Sequence, residues 1–162
     1  GVVGAVVAGL VSAAALRRQS RDQLVETREH WRRQLRREAY VAFIDAAHHF
    51  KAQARSVSPF LGGNEVELVQ RAVVGLRSAE QALLGQARIV DLEAPDQVVE
   101  AVSAVLATAK QIVVDTSIWL ELAERGDSAV GDCHRRFAED RETFNQRAAL
   151  LREKIRQDLQ GR

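Results

Sequence analysis

The sequence predicts an all-α protein: an up-down antiparallel four-helix bundle whose extended first helix continues into an N-terminal apolar segment. Three observations lead there. The 162 residues are 46% hydrophobic and 28% charged, with two prolines and 5% aromatics, the Ala/Leu/Val/Glu/Arg-rich profile of a helical chain rather than a sandwich or barrel. Apolar residues recur at intervals of three and four through four long stretches. Short Pro- or Gly-bearing breaks separate those stretches, and connections this short make sequential helices antiparallel neighbours.

Residues 1–16 carry no charge, and Ser12 is their only hydroxyl. As a helix they span about 24 Å, short of the roughly 30 Å of a bilayer core. The chain begins with Gly1 and has no methionine, as expected of a piece of a longer polypeptide that supplies the missing turn. Gly1, Ala5, Gly9 and Ala13 recur every fourth position, a small-residue stripe that lets two such helices approach closely. A secretory signal is the competing reading, since Val11-Ser12-Ala13 or Ala13-Ala14-Ala15 resembles a cleavage site. Arginines directly after the run resist translocation and favour a membrane span with a cytoplasmic flank.

That flank is strongly basic. Between positions 17 and 37 stand Arg17, Arg18, Arg21, Arg28, Arg32, Arg33, Arg36 and Arg37 against Asp22, Glu26 and Glu29, a local excess of +5. The whole chain carries +1, so the remainder carries −4. These eight arginines are the candidate contact with an anionic surface, and anionic lipid is the expected partner. Nucleic acid is the weaker reading: the arginines can track phosphates, but the stretch lacks the Asn, Gln and small residues of a base-reading helix.

Nothing breaks a helix from Arg17 to about Arg55. Apolar residues are sparse to Arg28, giving a stalk over 17–30, and then Trp31, Leu35, Ala39, Ala42, Phe43, Ala46 and Phe50 form a stripe. The bundle is therefore expected over 31–162, starting near Trp31. Ser58-Pro59-Phe60-Leu61-Gly62-Gly63 should end the first helix, and Asn64 with Glu67 resembles a capping box that starts the second. Its stripe is Val66, Val69, Val73, Leu76, Leu83, Ala87 and Val90, with Gly75 and Gly85 either weakening it or admitting close packing.

A third helix with Pro95 in its first turn carries Val98, Val102, Val105, Ala109, Ile112, Trp119 and Ala123, interrupted only by Thr116. A second row at Val99, Leu106, Val113 and Leu120 widens the face, so this helix is expected to be the most buried. Gly126 closes it. Asp127 or Ser128 is expected to cap a fourth helix bearing Val130, Cys133, Phe137, Phe144, Ala148, Leu151, Ile155 and Leu159.

Candidate chemistry is thin. Asp45 and His48 share a helix face, as a carboxylate and imidazole of a di-iron bundle would, but the chain contains no Glu-x-x-His to complete such a set. His48 and His49 are read as surface histidines. The phosphotransfer helix of sensor kinases carries an acidic residue after its histidine, whereas His48 is followed by His49-Phe50-Lys51. Cys133 and His134 are adjacent, so their side chains diverge by about 100° on a helix; Cys133, the sole cysteine, is read as a small core residue. Gly62-Gly63 lacks the Lys and preceding strand of a phosphate loop. No cofactor, metal or catalytic residue is assigned.

The stretch Trp31-Arg32-Arg33-Gln34-Leu35-Arg36-Arg37-Glu38-Ala39-Tyr40-Val41-Ala42-Phe43, after a Gly/Ala/Val run, resembles a group of actinobacterial membrane-anchored helical proteins. The resemblance covers the first fifty residues and beyond them only the periodicity. It implies an N-terminal anchor and a helical remainder, with no reaction and no functional residue attached. The expectation is a single-pass protein of the cell membrane, its bundle in the cytoplasm, binding protein partners that include a second copy of itself. The alternatives are a nucleic-acid-binding protein using the arginines, an enzyme with a site inside the bundle, and a protein secreted after signal cleavage.

Overall fold

The computed structural model describes residues 2–63 and 65–161, without the side chains of residues 2–5 and 10. Among the described residues there are four helices and no strand: α1 (Val2–Gly62), α2 (Val66–Glu93), α3 (Asp96–Glu124) and α4 (Val130–Leu159). The chain divides into two compact units, Gly1–Leu35 and Arg36–Arg162.

In the second unit, cross-helix pairs set the direction of each helix. Tyr40 bonds to Asp158, the rings of Phe50 and Phe144 lie 5.2 Å apart, and Gly62 sits beside His134. Numbers rising along α1 fall along α4, so the two run antiparallel. Gln70 donates to Glu124 and Arg77 to Ser117 between α2 and α3. Arg147 donates to Thr108 between α4 and α3. Gln53 of α1 lies over Gly75 of α2, where a Cβ would stand 2.7 Å from its Oε1. Each helix therefore flanks the next and α4 returns to α1, which is the expected four-helix bundle.

The core follows the stripes except that Leu159 of α4 is 46% exposed, and the structure differs from expectation in three further places. Trp31 is 59% and Leu35 42% exposed; the buried face begins at Ala39 and Tyr40 and continues through Phe43, Ala47, Phe50, Ala54, Val57 and Leu61. The packed unit thus starts at Arg36 rather than near Trp31. Secondly, Pro59 does not end α1, which runs through it to Gly62. Proline forfeits one amide bond and crowds the carbonyl one turn back, but burial of Val57 and Leu61 holds the last turn in place, each such side chain contributing about 1.5–3 kcal/mol. Gly63 N still bonds to Pro59 O at 3.2 Å and Glu65 N to Phe60 O at 3.1 Å.

Thirdly, the helix starts use backbone more than side-chain caps. Asn64, expected to cap α2, lies outside the described residues. The cap position is Glu65, whose carbonyl accepts from Leu68 and Val69, while Glu67 pairs with Arg71. Before α4 the Asp127 carboxylate accepts the Ala129 amide at 2.9 Å, one residue ahead of the helix. Gly126, at φ +66°, supplies the left-handed turn that closes α3. Pro95 is the cap of α3 rather than a residue of its first turn.

α3 is the central helix, with ten buried residues including Trp119 at 0% exposure. Among the described residues it is also the one helix long and apolar enough, by length and composition, to cross a membrane. A helix at the heart of a bundle meets the same criterion, and α3 packs on both α2 and α4.

Candidate functional site

In the first unit every described side chain from Val6 to Leu35 is exposed. Val6, Val7, Val11 and Leu16 are each more than half exposed. Arg17, Arg18, Arg21, Arg28, Arg32 and Arg33 follow them on the same helix, also exposed. The expected membrane span over 1–16 includes Gly1, which lies outside the described residues. Gly9 and Ala13 of the small-residue stripe face open space.

The last two arginines belong to the second unit and part company there. Arg37 is exposed. Arg36 instead joins the bundle: its Nη1 donates to both carboxylate oxygens of Asp158, at 3.1 and 3.3 Å, and Tyr40 Oη donates to Asp158 Oδ2 at 2.6 Å. The Asp158 side chain is 11% exposed, so this trio is a structural clasp between α1 and α4. Burial and the bond to Asp158 push the Tyr40 phenol well above its ordinary value. Arg36 is thereby withdrawn from the set available to an anionic surface.

A polar layer also crosses the α3–α4 interface. Thr108 and the Ala104 carbonyl both accept from Arg147 Nη1, at 2.7 and 3.0 Å. Two turns further along α3, Asp115 is 1% exposed; its Oδ1 accepts from Gln111 at 3.0 Å, while its Oδ2 is buried without a partner among ordinary donors. The Asp140 carboxyl of α4 stands beside the Asp115 side chain. Burial, the hydrogen bond to Asp115 and its charge raise Asp140 from 3.8 to about 6, opposed by Arg136. When neutral, the Asp140 carboxyl can donate to the Asp115 carboxylate.

Neither Asp115 nor Asp140 stands out in the sequence. The signal is there in retrospect: Asp115 interrupts the run from Ile112 to Trp119, and Asp140 the run from Phe137 to Phe144. The antiparallel register brings the two gaps opposite one another.

His48 and His49 are exposed, and no group of three or more metal-ligating side chains occurs among the described residues. Cys133 is 1% exposed, on the core face as expected, and its sulfur accepts from Arg136 at 3.1 Å. Trp119 fills the core with its Nε1 buried and unpartnered among the described residues.

The fold and these sites define an all-α bundle with a carboxyl pair of which Asp115 is buried and Asp140 half-buried, and an exposed apolar-then-basic helical segment. Comparison of the chain with family models, with curated proteins and with solved structures finds no match.

Proposed function

We propose that this is a membrane-tethered helical module in which residues 1–16 form the inner end of an anchor and the arginines beyond them lie against anionic lipid. The bundle sits on the cytoplasmic side and acts by binding protein partners, a second copy among them. The observation that carries this reading is the exposed helix over 6–35, whose apolar side chains give way at Leu16 to arginines. Exposed valines and leucines without a polar face are costly in water and stable in hydrocarbon. An arginine at the bilayer centre costs roughly 2.5–3.5 kcal/mol, so the span ends before Arg17. Each of the seven arginines outside the Asp158 clasp contributes about 1 kcal/mol near an anionic surface. The resemblance of residues 31–43 to actinobacterial membrane-anchored proteins agrees with this reading and adds no activity to it.

Membrane fractionation tests it. The full-length protein should pellet with membranes and resist extraction by high salt and by carbonate, while residues 17–162 stay in the supernatant. Release by salt alone would leave only the charge interaction standing. Secretion of a shortened product would overturn the anchor.

A further inference from the structure

A cleft opens between α1 and α4, lined by residues that include Phe144 and His48. Its floor is apolar: Ala47, Phe144 and Leu151 are buried and Ile44 half-buried. Its rim is basic, with His48, Lys51 and Arg152 exposed and the Asn145 amide between them and the floor in burial. No Asp or Glu lines it. Among the described residues neither Lys51 nor Arg152 makes a hydrogen bond or an ion pair, whereas Glu153, next to Arg152, is already held by Arg156 and Gln157. Asp45, the α1 acid one turn from His48, lies outside the lining.

We infer that this cleft binds a short aliphatic carboxylate, its chain on the Phe144–Leu151 floor and its charge at Lys51 and Arg152. Size and charge both lead there. The cleft holds about 70 Å³, less than the roughly 150 Å³ of an apolar cavity that accepts benzene. It therefore encloses a few carbons, the length of a short chain, and cannot enclose a sterol or a whole long acyl group. A neutral hydrocarbon tail would gain from the apolar floor alone and leave the two uncommitted cations of the rim unused. They complement an amphiphile ending in an anion, and the planar guanidinium of Arg152 matches a carboxylate edge to edge. Asn145 adds an amide donor beside the chain.

The test is isothermal titration of hexanoate into the full-length protein held in phosphatidylcholine nanodiscs, with empty nanodiscs as the blank and hexanamide as the uncharged isostere. Hexanoate should bind saturably at one site per chain, and hexanamide about tenfold more weakly. Arg152→Gln should weaken hexanoate by a similar factor with unchanged helical circular dichroism and melting temperature. Ala148→Leu, which fills the cleft from α4, should abolish binding, while Lys110→Gln on the exposed face of α3 leaves it intact. Heat that never saturates, equal affinity for hexanamide, or a loss in Lys110→Gln matching that in Arg152→Gln would each overturn the assignment and leave the cleft as a packing fault.

Discussion

Replacing Asp140 by Asn should stabilise the bundle above pH 6 and leave it unchanged near pH 4. In the folded chain Asp140 holds its proton up to about pH 6, against an ordinary value of 3.8. Between those values the folded protein keeps a proton that the unfolded chain has released. Stability therefore falls as pH rises through that window and levels off above it. A shift of that size corresponds to about 3 kcal/mol if wholly realised, at about 1.4 kcal/mol per pH unit. Asp140 is only half-buried and Arg136 lies near it, so solvent screening reduces the expected effect to about 1 kcal/mol. The Asn amide offers the buried Asp115 side chain a donor at every pH, whereas the Asp140 carboxyl offers one only while it is protonated. Urea unfolding followed by circular dichroism at pH 4 and pH 8 reads this directly. With a slope of about 2 kcal/mol/M, the variant's midpoint at pH 8 should rise by about 0.5 M and coincide with wild type at pH 4. A variant less stable than wild type at pH 8, or offset equally at both pH values, would refute the raised titration of Asp140.

Three further outcomes follow from the packing. Trp119→Ala should cost about 3–5 kcal/mol in chemical denaturation; Trp119→Phe should cost much less, since it also removes a buried N–H with no partner among the described residues, and His48→Ala or His49→Ala should be nearly neutral. Tyr40→Phe should lose about 1 kcal/mol with its bond to Asp158, and Asp158→Ala more, because Arg36 and Tyr40 then both lose their partner; equal stability of all three proteins would show the clasp to be ornamental. Residues 30–162 should fold without the N-terminal segment, giving mostly helical circular dichroism and a cooperative melt, because the buried face begins only at Ala39; a broad, non-cooperative melt would contradict this.

Apolar periodicity was enough to place four helices, their order and most of their buried faces, because a helix's burial pattern is written every three or four residues along its own chain. Val69, Val73, Leu76, Leu83, Ala87 and Val90 on α2, and Val98 through Trp119 on α3, are buried as the spacing implies. Spacing could not say where a stripe stops meeting a neighbour. Trp31 and Leu35 continue the α1 pattern yet stand exposed, and Val57 and Leu61 carry the helix past a proline that local rules would make its end. Polar pairing was beyond local reading altogether. Asp115 with Asp140, Arg36 and Tyr40 with Asp158, and Thr108 with Arg147 join residues from 25 to 122 positions apart. Each pair exists only because antiparallel packing brings distant stretches of chain into one register, which no stripe read along its own helix can specify.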